Sequence, residues 1–548
     1  VTAGAPIRVG WAAFVAALLG LLMFAPALAN GFAYDDIAIV AQDARIRSLA
    51  NLPTILTTGW WAEPGHGLYR PLTTLSFALD WSLAPGSAAW FHLTNALLHA
   101  AASALVVLLL ACFFAPAAAL FGGLVFALHP VHVEAVANVV GRADVLASVF
   151  VLAACVLWTA EHAHPSWRGI RAAAVAALFA CALLAKESAV MLPALLLLLD
   201  AARGAVSRHA VREYLRREAT AFSALAVTLA GFLALRASVL GGLAPSRLDP
   251  AVEVAASTGE RLLTALQAWP HYLRLLAFPR TLLADYGPRV LTPADGVTAG
   301  AALGALLLLG AVGGGLVALA RGRHRLALGL LWFALAILPV SNLLLPIGVL
   351  VAERTLYLPS FAASVAAAGA AAAAGARAGG RRAPMLAARV AAAAVVALLA
   401  ARTLARVPEW RSTERIMAAQ LRDRPDSFRA QWALARQARL DGDATRALER
   451  YAEAMRLWPY RERLALESAG FAAESGQRRM AFQLASFAAQ RWPGALDAQR
   501  LLAGTALDLG DTTTARLAVR TGLRLDPRDD VLRRMDAAMT LPIREVAR

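Results

Sequence analysis

The sequence predicts an all-α protein in two parts: a polytopic bundle of membrane helices, then a soluble stack of helix pairs. Three observations carry that reading. The 548-residue chain is 59% hydrophobic, with a mean hydropathy of +0.57, too apolar for a soluble protein of this size. Its apolar runs repeatedly approach the length that crosses a bilayer, and they stop near residue 408. Beyond that point the chain is polar and Arg-rich, and it repeats with a period of 34 residues.

The first part, residues 1–408, holds about eleven apolar runs: 9–29, 91–114, 116–129, 144–160, 170–185, 188–200, 219–240, 298–320, 326–347, 356–375 and 385–406. The run after Ile7 is long and lacks a clear small-residue cleavage site, so it reads as a retained signal anchor. Two intervening stretches are amphipathic. Residues 44–90 carry Trp60, Trp61, Trp81 and Trp90, and residues 260–283 carry Trp269, His271, Tyr272 and Arg274. Trp and Tyr prefer the membrane–water interface, which predicts that both stretches lie along the surface or dip into it.

Loop charges set the orientation. With Arg8 inside, the inner loops are the Arg-rich ones: 161–171, 201–218, 321–325 and 376–389. Residues 30–90, 129–144, 186–187, 241–297 and 348–355 then lie outside. An odd number of spans puts the second part outside as well. The outer segments 30–90 and 241–297 are the two long ones.

The second part, residues 409–548, repeats in register. Pro425, Pro459, Pro493 and Pro527 are 34 residues apart, and the same period relates Gly442, Gly476 and Gly510, and Ala447, Ala481 and Ala515. A 34-residue helix pair closed by Pro, with small residues where the helices touch, is the tetratricopeptide repeat. The repeats span about 425–458, 459–492 and 493–526, with 411–424 and 528–540 as flanking helices. Three repeats make a short superhelix whose concave face suits a peptide.

The formal net charge is +16. Arg is dispersed and lacks interleaved stacking aromatics, so the excess reads as positive-inside bias and not as a nucleic-acid surface. Of 53 basic residues only Lys186 is a lysine. A lone ammonium in an Arg-rich chain marks a position where a compact charge is wanted. Cys112, Cys155 and Cys181 all fall in apolar runs and read as small buried hydrophobes, with no disulfide framework.

Four polar motifs interrupt the apolar part, all on the outer side. They are Tyr34-Asp35-Asp36, the stretch His129 to Asp144, Lys186-Glu187, and Glu353-Arg354 before Tyr357. Ionisable groups at the ends of membrane helices mark functional sites. One of Asp35 and Asp36 can act as a general base on a hydroxyl while the other caps the helix that begins the loop or holds a partner, or both can be solvated loop acids. Arg70 can clamp a phosphate or anchor the interface. His129, His132 and Glu134 are spaced three and two apart, which does not put all three on one helix face, so they serve hydrogen bonding to a sugar or orient a loop better than they hold a metal. Arg142 and Asp144 can pair with each other, and Lys186 with Glu187. Lys186 and Arg354 can together neutralise a lipid phosphate, with Glu187, Glu353 and Tyr357 in support. No metal or other cofactor is firmly expected.

Nearly the whole chain resembles one family. Tyr34-Asp35-Asp36, Tyr69-Arg-Pro-Leu-Thr73, Phe91-His-Leu-Thr-Asn95 with Leu98-His99, and Ala127 to Ala135 resemble the transmembrane and tetratricopeptide-repeat-containing (TMTC) proteins. So do Val140 to Ser148, Ala185-Lys-Glu187, Leu283-Ala-Asp-Tyr286, Leu338 to Asn342 and Ala352 to Ser360. The resemblance implies the type-C glycosyltransferase fold and an O-mannosyltransferase that uses a polyprenyl-phosphate sugar, here in a bacterial member at the inner membrane with periplasmic repeats. It implies that Asp35 or Asp36 deprotonates a Ser or Thr of a protein acceptor. Lys186 and Arg354, with Arg70 or Arg142, would hold the donor phosphate, and a single displacement would invert the anomeric centre. Partners are then membrane lipid, the lipid-linked donor and a protein or peptide held by the repeats. Two other classes compete: a non-catalytic scaffold, which needs no converging charges, and a lipid-linked sugar transporter, which needs charges along a central path.

Overall fold

The computed structural model describes residues 5–61, 67–160, 167–205, 211–242 and 257–540. Parts of the expected outer segments (62–66 and 243–256) and of the Arg-rich inner loops (161–166 and 206–210) lie outside the described residues. Every regular element among the described residues is helical. The chain divides into two compact units, Val1–Ile416 and Met417–Arg548.

In the first unit, eight described helices are long and apolar enough to cross a membrane: Arg8–Ala29, Ala88–Ala111, Val139–Thr159, Arg168–Ala185, Arg216–Leu240, Ala299–Ala320, Phe361–Ala378 and Arg382–Arg411. A bent pair, Pro116–Leu128 with Pro130–Val136, makes a ninth if it is one span; its 44° bend falls at His129-Pro130. Pro removes a backbone donor there and breaks the helix. The expected count was about eleven. The two missing runs are short helices, Leu192–Ala202 of 11 residues and His324–Ile337 of 14 residues. At 1.5 Å per residue the first spans only about 16 Å, roughly half of a hydrocarbon core. These two short helices pack on each other.

Part of the aromatic set in the amphipathic stretches is buried, while Trp90 is exposed. Trp60 and Phe77 are buried with Ile39, Val40, Phe91 and Val139. Trp269 and Tyr272 are buried with Leu283, Tyr286, Leu350 and Leu356. Each stretch has enough apolar residues to close a core over the helix ends, and burial there removes more apolar area from water than an interface position would. Of the cysteines, Cys155 is buried but Cys112 is exposed, against expectation, and all three are free thiols.

The first unit runs past the expected boundary at 408/409. Asn30 Nδ2 donates to Val407 O at 3.1 Å, Gly31 N to Arg411 O at 3.1 Å and Tyr34 N to Thr413 Oγ1 at 2.8 Å. These bonds keep residues 407–413 with the membrane bundle.

In the second unit the 34-residue period becomes three helix hairpins: Phe428–Leu440 with Ala444–Leu457, Glu462–Glu474 with Arg478–Arg491, and Leu496–Asp508 with Thr512–Leu525. Asp530–Thr540 follows. Gly442, Gly476 and Gly510 make the hairpin turns at φ of 78°, 75° and 79°, where a Cβ would be strained. Ala447, Ala481 and Ala515 are wholly buried, as close helix approach requires.

Candidate active site

The four polar motifs meet through side chains drawn from distant parts of the first unit. Arg354 is the hub. Its Nη1 lies 2.8 Å from Glu134 Oε1 and 3.9 Å from Asp35 Oδ2, and its backbone N donates to Glu134 Oε2 at 3.0 Å. Burial lowers the affinity of this guanidinium for its proton, but Glu134, Asp35 and Asp144 outweigh that and hold its pKa above the usual value. Arg354 therefore stays a cation.

The adjacent acids have separate environments. The Asp35 side chain is 23% exposed and faces Arg354. Asp36 is 1% exposed. Its carboxylate accepts from Ala33 N at 3.2 Å, Val139 N at 3.3 Å and Val140 N at 2.8 Å. Burial pushes the Asp36 pKa up to about 7, against the lowering effect of the three N–H groups. Expected as a wet candidate base, Asp36 instead ties the first loop to residues 139–140. Its lone pairs are committed to the backbone.

A second group adjoins the first through Asp144. Lys186 Nζ lies 2.5 Å from Asp144 Oδ1, with both side chains buried. Burial lowers the Lys186 pKa, although Asp144 and Glu187 work the other way. Glu187 takes a two-pronged grip from Arg70, at 3.0 Å and 2.6 Å. Burial raises the Glu187 pKa, but Arg70 and Lys186 more than reverse this and bring it to about 2. The pairing expected within Lys186-Glu187 is thus replaced by two pairs that cross between motifs. A small crevice is lined by Asp144, Ser148, Ser188 and Thr355 together with apolar Val151, Ala189, Val340 and Leu358.

Arg142 does not fit a phosphate-binding role. Its side chain is fully buried and lies 2.5 Å from Asp80. It also donates to Asn95 Oδ1 at 2.7 Å, Phe91 O at 2.9 Å and Ser76 O at 3.2 Å, and stacks over Phe77. No donor is left for a ligand, and the partner is Asp80 instead of Asp144. His129 is similarly used within the protein: Nε2 meets Leu276 O at 3.1 Å and Nδ1 accepts from Val131 N at 3.2 Å. His132 Nε2 meets Ser360 Oγ at 2.8 Å. Tyr357 OH meets His99 Nδ1 at 2.7 Å. Glu353 accepts from Leu283 N and from Tyr286 OH at 2.9 Å, fastening the later outer segment. Burial raises its pKa to about 8, against the pull of Arg406. Its other oxygen, Oε2, is buried without a hydrogen-bond partner.

No group of three His, Cys, Asp or Glu among the described residues is arranged to hold a metal ion. Sequence reasoning missed Asn95 and Ser360 as anchors, and Thr413 on the far side of the first unit in sequence. Asn95 and Ser360 fall inside motifs that carried the family resemblance. Thr413 had no such signal.

No family model matches the chain. Curated proteins do. Protein O-mannosyl-transferase Tmtc2 of Drosophila melanogaster is 34% identical over 296 residues, 50% of this chain and 30% of that protein. Protein O-mannosyl-transferase TMTC3 of Mus musculus is 29% identical over 362 residues, 60% of this chain and 39% of that protein. Protein O-mannosyl-transferase TMTC4 of Mus musculus is 28% identical over 403 residues, 64% and 54% respectively. The chain's relatives are TMTC proteins. The TMTC resemblance read from the motifs therefore stands. The chain spans about a third to a half of the length of these TMTC relatives, from 30% to 54%.

Proposed function

We propose that this chain is a membrane glycosyltransferase that moves a sugar, mannose, from a polyprenyl-phosphate donor to Ser or Thr hydroxyls of a protein. The observation that carries the reading is the Asp35–Arg354–Glu134 chain, with its one accessible acid at 3.9 Å from its cation. The names of the relatives, protein O-mannosyl-transferases, support the reaction class.

Asp35 takes the proton from the acceptor hydroxyl as that oxygen attacks C1 of the sugar. The C1–O bond to phosphate breaks, and the electron pair leaves with the polyprenyl phosphate. Arg354, and Lys186 beside it, stabilise that leaving charge. The phosphate replaces the long Arg354–Asp35 contact, which releases Asp35 for proton transfer. One displacement inverts the anomeric centre. Asp36, Arg142, His129, His132, Glu353 and Tyr357 hold the loops in place, and Arg70 holds Glu187.

The loop charges favour a multi-pass protein of a bacterial inner membrane, with the candidate site and the repeats on the periplasmic side. Counting the bent pair and both short helices as crossings gives the odd number that this orientation needs. The protein acceptor would be held by the second unit. There a groove runs between Glu462–Glu474, Leu496–Asp508 and Asp530–Thr540, lined by Leu466, Gly470, Leu501, Gly504 and Met535 with Glu467, Asp497 and Asp508.

The test is transfer by purified protein from polyprenyl-phosphate mannose to a Ser/Thr peptide. Transfer is expected, and Asp35→Asn should lower its rate by about 10²-fold or more with unchanged thermal stability. No transfer to any hydroxyl acceptor, or full activity in Asp35→Asn, would overturn the reading.

A further inference from the structure

The loop that carries Asp35 is gripped from both sides. On one side, Asp36 is fixed by three backbone N–H groups. On the other, the end of the last span and the residues just after it reach back to residues 30–34 through Asn30, Gly31 and Tyr34. The last of these bonds, Tyr34 N to Thr413 Oγ1 at 2.8 Å, is made by the residue just before Asp35.

Tyr34 is also one of only two described non-glycine residues with positive φ, at 54°. L residues adopt this left-handed conformation rarely, and it persists where the surroundings over-determine it. Here its consequence is local and chemical. The left-handed turn sends the chain round so that Asp35 faces Arg354 while Asp36 points into the protein. Thr413 is not needed to cap its own helix, Thr413–Asp423. Ser412 Oγ already accepts from Arg415 N at 3.3 Å. The Thr413 hydroxyl is thus available to hold Tyr34.

We infer that Thr413 is a positioning residue for Asp35, acting through the Tyr34 amide across 379 residues of sequence. This rests on Asp35 being the base. The hydroxyl fixes the left-handed turn, and the turn fixes the direction of the carboxylate toward the acceptor. Loss of the acceptor oxygen lets the turn relax, and a general base displaced by about 1 Å loses rate out of proportion to any change in binding.

The test uses the full chain. Thr413→Val keeps the shape and removes the acceptor; Thr413→Ser keeps the acceptor. With polyprenyl-phosphate mannose and a Ser/Thr peptide, Thr413→Val should lower kcat about tenfold or more, with KM for donor and acceptor and the thermal midpoint unchanged. Thr413→Ser should restore most of the rate. Hydrogen exchange should quicken at residues 31–36 in Thr413→Val and not elsewhere. In an Asp35→Asn background, Thr413→Val should slow the residual reaction no further. A wild-type kcat in Thr413→Val, a matching rise in KM, or failure of Ser to rescue overturns the inference. Full activity in Asp35→Asn overturns the base assignment instead, so the two failures are told apart.

Discussion

The two units use ion pairs in opposite ways. In the first unit the pairs are sunk among helices: Arg142 with Asp80 and Lys186 with Asp144 have both partners buried. In the second, several lie along helix surfaces, as Arg456 with Glu453 and Arg463 with Glu467 do, four positions or fewer apart. Exposed pairs contribute little to stability because water already solvates each charge. Breaking a buried pair leaves one charge stranded in low dielectric. The contrast teaches that the first unit's charges are held where they are for position, since a core of apolar side chains would be at least as stable.

The largest test of this contrast is Arg142→Met. It strands Asp80 beneath Asn95 and Phe91 and should destabilise the membrane unit by about 3–5 kcal/mol. The expected readout is a sharply lower thermal midpoint or loss of monodisperse protein in detergent. Unchanged stability would erase the distinction between the units. Next comes Arg354→Ala, which removes the hub cation. Donor binding should weaken by roughly 2 kcal/mol or more, seen as a donor KM raised some tens of fold with the acceptor KM unchanged. Equal effects on both would make Arg354 a structural residue only.

A smaller effect follows from Asp36. Its folded pKa, about 7, lies above the ordinary 3.8. Between those values the folded state holds a proton that the unfolded state has lost, so this group's contribution to stability falls as pH rises from about 4 to 7. Asp36→Asn cannot titrate. The thermal midpoint of wild type minus that of Asp36→Asn should therefore decline across this window. A flat difference would mean that Asp36 stays charged throughout. The smallest effect belongs to Arg456→Ala on the second unit's surface, where no measurable change in thermal midpoint is expected.

Much of this was legible in the sequence. The repeats were, because an exact period survives any uncertainty about individual residues. So were the places where charges interrupt the apolar runs, because ionisable groups there are costly unless paired or wetted. The partners were not. Lys186 bonds to Asp144, 42 residues away, instead of its neighbour Glu187, and Glu187 bonds to Arg70, 117 residues away. Adjacent side chains diverge, and only the fold decides which distant group fills the space. The same blindness hid the difference between Asp35 and Asp36, which turns on one left-handed residue. The ends of two expected spans were not legible, because hydropathy sees an apolar run but not where its helix stops: Leu192–Ala202 and His324–Ile337 are short. Thr413 was invisible because a Thr at the start of a polar helix reads as ordinary.

Lys186 has one more consequence. It is the only lysine in the chain, and it is buried against Asp144. Amine-selective labelling thus has a single side-chain target, placed where the donor headgroup is proposed to sit. The speed at which a small acylating reagent consumes that amine becomes a clock for how often the Lys186–Asp144 pair parts and meets solvent, readable by mass without any engineered tag or probe.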